Sequence, residues 1–351
     1  MSGSEAHALE LIERVRAKPL RFRDDQITMA HGAGGKATLS LVEGLLAPAL
    51  GLTATADASA LGGVYLTTDS FVVKPIRFPG GSIGELAVNG TINDLAVSGA
   101  KPVAIALSLI LEEGLATDVL AAEVEAIAAA SRAAGVPVVT GDTKVVERGR
   151  CDSMYVTTTG FGFADARASL APDALRPGDR ILVSGPIGAH GVAIMLARGE
   201  FELEAPVESD TRSLWPAVDT LLDAAGGSLR CIRDATRGGV ASVLNELART
   251  SGVSVLVREA QVPVAPAVAG ACEILGIDPM YVANEGTLVA FVAPEAAGDA
   301  LAALRTVAGC EQAAEIGEVK TEPPGMVLVE TGFGGKRVMD LLVGDPLPRI
   351  C

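Results

Sequence analysis

The segment Ala87-Val-Asn-Gly-Thr-Ile-Asn-Asp-Leu-Ala-Val-Ser-Gly-Ala100 places one acidic residue, Asp94, within a run of small and apolar residues. Its spacing predicts a helix over 82–98, and Gly99 follows as a stop signal. A carboxylate in such a helix is costly unless it is paired or binds a metal ion. The segment therefore predicts a packed helix that presents an acid to a site.

Strands and helices alternate on both sides of this helix. In the first half the pattern predicts strands over 63–74, 102–111, 136–140 and 154–163, and helices over 38–47 and 117–134. A turn-rich segment, 171–179, precedes a second series. There the pattern predicts strands over 180–184, 253–258 and 287–292, helices over 191–198, 237–250 and 294–307, and a closing hairpin over 326–341.

This order of elements predicts an α/β domain followed by an α+β domain. We place the boundary before the turn-rich segment. The expected parts are an N-terminal extension, a first domain, a second domain and a tail, over residues 1–25, 26–168, 169–343 and 344–351.

Composition excludes several classes of protein. The net charge of −15 argues against a nucleic-acid binder, because phosphate contacts need clustered basic residues. The most apolar stretch, 102–111, is far shorter than the roughly 20 residues that span a bilayer. The first residues show no secretory signal, so we expect a cytoplasmic location and no membrane partner. Five cysteines show no zinc-type spacing, and their odd number argues against a disulfide framework.

A glycine-rich turn, His31-Gly-Ala-Gly-Gly-Lys36, precedes the first predicted helix. It is not a Walker A loop, because alanines stand where that motif needs its first glycine and its Ser or Thr. Backbone N–H groups at a helix start suit phosphate, and an ordinary glycine-rich helix start is equally compatible with the pattern. The candidate nucleotide contacts here are His31, Gly32, Gly34 and Gly35.

Four aspartates stand at or near the ends of predicted elements: Asp57, Asp69, Asp94 and Asp142. Each alone is readily explained as a cap or turn residue. Together they offer only oxygen ligands, which suit Mg²⁺ better than any softer metal. Asn93, beside Asp94, is a further candidate for nucleotide contact.

Two polar segments of the second half have open interpretations. Asn284-Glu-Gly-Thr287 precedes an apolar strand and reads as a loop by pattern alone. Asp234-Ala-Thr-Arg-Gly-Gly239 opens a helix, and it could bind an anion or allow close backbone packing.

The sequence ends on Cys351, after Pro346 and Pro348. The prolines forbid a helix and favour an extended arm. A prenylation signal is excluded, because its cysteine stands fourth from the end. A thiol on such an arm is a tethered nucleophile, although a chance terminal residue gives the same pattern.

These motifs resemble the HypE family of hydrogenase maturation proteins, in the superfamily of aminoimidazole ribonucleotide synthetase, selenophosphate synthetase and thiamine-monophosphate kinase. The matching segments are 31–36, 67–73, 78–81, 93–100, 111–114, 140–146, 234–239, 284–287 and Pro348-Arg-Ile-Cys351. The Asp and Gly motifs are shared across the superfamily. The terminal Pro-Arg-Ile-Cys is the family-specific mark.

The resemblance implies a homodimer formed through the first-domain sheet, with ATP and Mg²⁺ held between subunits or domains and with a mobile tail. It also implies that a partner carbamoyltransferase loads Cys351. ATP-dependent dehydration then converts the thiocarboxamide to a thiocyanate, whose cyano group passes to an iron-carrying hydrogenase maturation complex. By family position, Lys144 and Glu285 are expected to remove the two N–H protons.

Two other functions remain open on the sequence. A sister enzyme of the superfamily that phosphorylates a small metabolite would not need a terminal cysteine. Selenophosphate synthesis would need a reactive cysteine near the glycine-rich turn, and the first cysteine is Cys151. A non-catalytic carrier would present Cys351 without hydrolysing ATP.

Overall fold

The structure of the protein, a computed structural model, describes residues 21–52, 56–199, 205–342 and 349–351. The described residues form two large sheets, each with helices against it, and one short hairpin. The predicted extension over residues 1–25 is described only from residue 21. No described helix is both long and apolar enough to cross a membrane.

The first half supplies the smaller of the two large sheets. Its strands are, in chain order, β1 Ser59–Leu61, β2 Val64–Phe71, β3 Arg77–Phe78, β4 Gly81–Ser82, β5 Ala100–Glu112, β6 Val138–Val146 and β7 Met154–Ala164. β3 pairs with β4, and the other five form one sheet in the order β1-β2-β7-β5-β6. Only β5 and β6 run parallel, joined by a crossover helix.

The first half also supplies four α-helices, of which the third packs on one face of this sheet and the fourth packs against the third. They are α1 Lys36–Leu41, α2 Ala47–Leu50, α3 Ile83–Val97 and α4 Thr117–Ala134. A π-helical segment, Val42–Leu46, joins α1 to α2, so the helix predicted over 38–47 is present. The helices predicted over 82–98 and 117–134 are confirmed by α3 and α4. Gly135 adopts φ +67° and ends α4 with a left-handed cap.

One strand is longer than the sequence pattern predicts. The prediction ended it at 140, whereas β6 extends to Val146. The polar run after 140 continues the strand because its backbone pairs with β5 along an exposed sheet edge. Asp142 and Lys144, expected in the loop past the strand, therefore lie within β6.

The second half supplies the larger sheet. Its strands are β8 Arg180–Val183, β9 Leu229–Asp234, β10 Ser254–Arg258, β11 Leu288–Val292, β12 Ala314–Lys320, β13 Val327–Glu330 and β14 Lys336–Met339. They form one sheet in the order β14-β13-β10-β12-β8-β11-β9, in which only β10 and β13 are parallel. Its helices are α5 Ala189–Arg198, α6 Trp215–Ala225, α7 Gly239–Ser251, α8 Pro266–Leu275 and α9 Ala297–Leu304.

The two halves pack together around α3, which contacts β2 and β7 on one side and β9 and α6 on the other. An apolar cluster also crosses the boundary, joining Phe71 and Met154 of the first half to Val192 and Val282 of the second. Each fully buried side chain of this size contributes roughly 1.5–3 kcal/mol. Helix α3, which carries Asp94, therefore lies where the two halves of the chain meet.

Candidate functional site

Three carboxylates from different elements meet beside α3. Asp57 lies in the loop before β1, Asp94 lies near the end of α3, and Asp234 is the last residue of β9. One oxygen of each lies within 4.8 Å of the other two. Thr67 of β2 contacts two of them, because its hydroxyl lies 2.8 Å from the Asp57 carbonyl and 2.7 Å from Asp94 Oδ2.

Asp69 stands next to this cluster, two residues further along β2 than Thr67. Its carboxyl group is hydrogen-bonded to that of Asp94, and the Thr91 hydroxyl donates to its Oδ2 at 3.3 Å. Alternate residues of a strand share a face. β2 therefore presents Thr67 and Asp69 together toward α3.

Burial and mutual repulsion raise the pKa values of Asp69, Asp94 and Asp234. Burial, with a smaller contribution from the nearby charge of Asp57, raises the pKa of Asp234 to about 8. Burial also raises the pKa of Asp94 well above its usual range, with Asp234 and Asp69 adding repulsion. The pKa of Asp69 is raised mainly by burial. Arg233 offsets part of this negative charge through its ion pair with Asp57.

This arrangement fits a divalent cation with hard oxygen ligands. Opposite ligands of Mg²⁺ lie about 4.2 Å apart, so small side-chain movements would close the 4.8 Å cluster around one ion. A bound cation would also relieve the repulsion that raises these pKa values. The residues that would hold it are Asp57, Asp94 and Asp234, with Asp69 adjacent.

Two clefts open beside the cluster, and Asp57 and Arg233 line both. The larger has a volume of about 860 Å³ and is lined by Gly34, Gly35 and Thr38 on one side and Arg249 on the other. The smaller, about 440 Å³, has a mainly apolar lining that includes Leu52, Tyr65, Val97, Leu170 and Ile232. Volumes of this order accommodate a small ligand.

The glycine-rich turn packs against the second half of the chain. Gly34 adopts φ +77°, and a Cβ there would lie 2.9 Å from the carbonyl oxygen of Arg237. The Arg237 guanidinium donates to the Gly32 carbonyl at 2.9 Å. Glycine is required at Gly34 because both its backbone angle and its close approach exclude a side chain.

Two residues predicted to contact the nucleotide are already hydrogen-bonded within the chain. His31 is buried, its Nε2 pairs with Asp24 at 2.9 Å, and its Nδ1 accepts the Thr28 N–H at 2.9 Å. The Asn93 amide donates to the carbonyls of Arg212 and Glu285, and its oxygen accepts the Leu214 N–H. These bonds occupy both His31 nitrogens and both Asn93 donors, so Asn93 fastens α3 to the second half.

Glu285 reaches the site from the loop before β11. It is 3% exposed, and its Oε1 has no hydrogen-bond partner among the described residues. Burial raises its pKa well above the usual range, and the charges of Asp234 and Asp210 add to this. Asp210 fixes the loop by accepting the N–H groups of Glu285 and Gly286 and the Thr287 hydroxyl.

Within one chain, Asp142 and Lys144 lie away from the cluster of Asp57, Asp94 and Asp234. They pair with each other at 2.7 Å, and both are largely exposed. The Lys144 ammonium lowers the pKa of Asp142 through this hydrogen bond. The cross-strand register puts Asp142 in one row with Ser108, Thr157 and Ser70, on the face away from α3.

Within one chain, the structure does not bring two of the predicted site residues to the acidic cluster. Asp142 does not join the metal cluster, because it lies three strands from Asp69, about 14 Å at 4.8 Å per strand, and on the opposite face. Lys144 shares that face, so it does not meet Glu285 within the chain.

The C-terminal tripeptide is docked at the site. Ile350 is 2% exposed and belongs to the apolar cluster that joins the two halves. The Val72 N–H donates to the Cys351 oxygen at 3.1 Å. The negative charge of Cys351 is the largest influence raising the pKa of Arg237, followed among nearby charges by Glu285 and Asp69. The tail is thus not an arm held away from the core, although Pro346 and Pro348 lie outside the described residues.

The sequence prediction did not assign Asp234, Arg233 or Arg237 to this site. The Asp234–Gly239 segment was recognisable, but without a predicted β9 nothing linked it to α3. Asp210 and His190 carried no signal, because each is a single polar residue whose partners lie far away in sequence.

The architecture defines an AIR synthase related protein. The family described as "AIR synthase related protein, N-terminal domain" matches residues 54–164, and its C-terminal domain family matches residues 176–329. A thiamine monophosphate kinase from Aquifex aeolicus shares this fold, with a TM-score of 0.63 at 21% identity, over 84% of this chain and 96% of that one.

The chain belongs to the HypE family. It is 48% identical to the carbamoyl dehydratase HypE of Azotobacter vinelandii over 95% of this chain and 99% of the relative. It is 43% identical to the Escherichia coli K12 protein of that name, over 93% and 100%.

Two solved structures extend this similarity. HypE in complex with ATP superposes with a TM-score of 0.79 at 42% identity, covering 93% of this chain and 100% of that one. The HypE–HypF complex gives a TM-score of 0.83 at 40% identity, covering 86% and 99%.

Proposed function

We propose that this chain catalyses the ATP-dependent dehydration of a carbamoyl group carried as a thiocarboxamide on Cys351. The observation that carries the proposal is the docked tail, because the negative charge of its terminal residue acts on Arg237, the same guanidinium that the charges of Glu285 and Asp69 act on. The curated relatives named carbamoyl dehydratase match this chain over nearly its whole length. An ATP complex of a HypE supports nucleotide use at the same fold.

The reaction proceeds in two bond-making steps. The thiocarboxamide oxygen attacks the γ-phosphorus of ATP, which forms an O–P bond and releases ADP. The C–O bond then breaks, phosphate leaves, two N–H protons are removed, and a C≡N bond forms. Phosphorylation is needed because the amide oxygen is otherwise a poor leaving group.

The chain's own residues divide this work. Asp57, Asp94 and Asp234, with Asp69 adjacent, would hold the Mg²⁺ that neutralises phosphate charge when it is bound. The glycine-rich turn, together with Arg233 and Arg249, lines the large cleft, where the triphosphate would be bound. Glu285 removes protons, because burial makes its carboxylate more basic than an exposed one.

A homodimer would complete the site with residues from a second chain. Helix α3 lies against one face of the first sheet, with α4 packed on α3. The other face exposes Leu66 to 41% and Phe163 to 52%, beside threonine and serine side chains. Asp142 and Lys144 lie on this face, so pairing two copies there would bury them in an interface. We assign Lys144 to the partner's dehydration site and Asp142 to its metal site.

The domain roles follow from this arrangement. Residues 26–168 bind ATP and dimerise, residues 169–343 supply Asp234 and Glu285, and residues 344–351 carry the acceptor cysteine. A carbamoyltransferase loads Cys351, in keeping with the HypE–HypF complex solved for a relative. The cyano group then passes to an iron-carrying hydrogenase maturation complex. We place this chemistry in the cytoplasm.

ADP formation that depends on a loaded tail tests the proposal. The chain is incubated with MgATP, with and without prior loading by the carbamoyltransferase and carbamoyl donor. We expect ADP release to rise on loading and to stay at background for Cys351→Ser, because serine offers no thiol. Equal ADP release by loaded wild type and Cys351→Ser would favour a sister kinase. No Mg²⁺-dependent ADP release at all would favour a carrier.

A further inference from the structure

The tail is bound mainly through its backbone. Residues 72–74 continue β2, and two of their N–H groups donate to the tail, Val72 to Cys351 at 3.1 Å and Lys74 to Arg349 at 3.4 Å. The spacing of two residues on each side is that of an added antiparallel strand. Strand addition of this kind gives affinity through main-chain bonds, and side-chain pockets add specificity.

Two side chains of α5 also bind tail carbonyls, one on Ile350 and one on Arg349, which accepts the Lys74 N–H as well. His190 Nε2 lies 2.6 Å from the Ile350 carbonyl oxygen, and Arg198 Nη2 lies 2.6 Å from that of Arg349. Arg349 also forms an ion pair with Asp152. All three tail carbonyls are therefore held, while the Ile350 side chain enters the apolar cluster between the two halves.

His190 is the most buried of these contacts, with no exposed surface. A carbonyl only accepts, so Nε2 must carry the proton in this bond. Burial lowers the pKa of His190, so the ring is neutral and Nδ1 accepts from the Ser209 hydroxyl at 2.8 Å. Ser209 in turn accepts the Thr211 N–H at 3.1 Å, which fixes its direction. The ring is thus held in one tautomer, aimed at the tail.

The segment that contains Ser209 also sets the position of Glu285, the proposed base. Ser209 orients His190, and the next residue, Asp210, holds the Glu285 loop with three hydrogen bonds. The segment is anchored to the first half because the Ser209 N–H donates to the Pro79 carbonyl at 2.8 Å. Two consecutive residues, Ser209 and Asp210, therefore set the position of the tail relative to Glu285, the proposed base.

We propose that His190 is a positioning residue that holds the C-terminal tripeptide so that Cys351 is presented to the acidic site. The ligand of this site is the chain's own tail, recognised by its Ile350 carbonyl and apolar side chain. The proposal rests on the proposed function for its purpose. It does not depend on that function for its test, because docking can be measured without turnover.

Alkylation of Cys351 measures docking directly. The unloaded full-length chain is treated with a maleimide, and labelling of each cysteine is followed by mass spectrometry of its peptide. His190→Leu removes the donor, whereas His190→Gln keeps an N–H near the same position. We expect Cys351 to react about five- to tenfold faster in His190→Leu, the effect of one hydrogen bond, and within about twofold of wild type in His190→Gln.

Cys231 reports on folding in the same experiment. It is buried in the apolar core of the second half, so it remains protected from the maleimide while the fold is intact. If His190→Leu labels Cys351 at the wild-type rate with Cys231 still protected, the proposal is overturned. Should His190→Leu expose Cys231, Ser209→Ala decides the matter, because it removes the hydroxyl that orients the ring and leaves the His190 side chain in place. Faster labelling of Cys351 in Ser209→Ala, with Cys231 protected, supports the positioning role of His190, and an unchanged rate overturns it.

Discussion

Asp94 and Asp234 come from different halves of the chain, yet their carboxylate oxygens lie within 4.8 Å of each other. Asp94 is delivered by α3 and Asp234 by the end of β9, and α3 contacts β9 directly. Like charges this close destabilise the folded state unless a proton or cation lies between them. The packing of the two halves thus creates a site that favours a cation.

Asp94→Asn should stabilise the metal-free chain and weaken Mg²⁺ binding. Removing one carboxylate relieves repulsion, so we expect the metal-free chain to gain about 1 kcal/mol in free energy of unfolding. The same change should remove the rise in Tm on adding Mg²⁺ and lower Mg²⁺-dependent ADP formation at least about 100-fold. Urea unfolding and thermal melts with and without Mg²⁺ measure both effects.

Glu295→Gln is the matched control for this change, because it removes an exposed carboxylate of the second half. It should leave Tm and ADP formation at wild-type values. An Asp94→Asn chain that is still stabilised by Mg²⁺ to the wild-type extent would remove Asp94 from the metal site.

Glu285→Gln should stop the reaction after loading. Glutamine keeps the size of the side chain and cannot accept the N–H protons. We expect Cys351 to be carbamoylated normally and the dehydration rate to fall by about 10²–10⁴-fold. Single-turnover measurements on the loaded chain give this rate. Asp210→Asn, which weakens the bonds holding the Glu285 loop, should give a smaller loss. A dehydration rate within about twofold of wild type in Glu285→Gln would place the base elsewhere.

Mixing two inactive variants tests whether the site is shared between chains. If Lys144 of one chain serves Glu285 of its partner, a heterodimer of Lys144→Ala and Glu285→Gln chains has one intact site of two. Random exchange of subunits would then restore about a quarter of wild-type activity. Each variant alone is expected to be inactive, although each should still form dimers, which size-exclusion chromatography checks. Activity that stays at background after verified exchange would contradict a shared site.

A cluster of ion pairs around Arg167 joins the two halves, and it predicts how the free energy of unfolding depends on pH. Arg167 pairs with Asp165 of the first half and with Asp219 and Asp223 of α6. The hydrogen bonds from Arg167 lower the pKa of Asp165 to about 2. Because the folded pKa lies below the usual 3.8, this stabilisation is present above that pH and is lost as the pH falls toward 2.

Asp165→Asn should therefore lower the free energy of unfolding by about 1 kcal/mol at pH 7, a value discounted for the partial exposure of Arg167. The difference from wild type should shrink at pH 3. Glu125→Gln, which breaks the exposed pair with Arg132, is the control and should change little. A loss for Asp165→Asn that is equal at both pH values would show that the charge is not the cause.

The sequence pattern predicted the elements whose periodicity is strong. α3 and α4 were predictable because small and apolar residues recur at helical spacing and glycine stands at their ends. Asp94 followed from α3, because a carboxylate in an apolar helix needs a partner. Asp69 was predicted as one of four acids near the ends of elements, and it lies on β2 next to Asp94.

The parts that the pattern did not predict depend on contacts distant in sequence. β6 continues past 140 because β5 offers a pairing edge, which no local pattern encodes. Asp234 joins the acidic cluster because β9 packs on α3, and the tail of the predicted acceptor Cys351 docks through Val72 and His190. Asp142 and Lys144 match the family motif and lie on the opposite face of the sheet, so their predicted roles rest on the proposed pairing with a second chain.

The most direct test of the central claim is the mass of the C-terminal peptide. The chain is loaded with its carbamoyltransferase and carbamoyl donor, then given MgATP and digested. Dehydration on Cys351 predicts a carbamoylated peptide before ATP and its counterpart lacking one water afterwards, with ADP formed in equal amount. A peptide that keeps the full carbamoyl mass while ATP is consumed, or a modification that appears on a residue other than Cys351, would contradict the account.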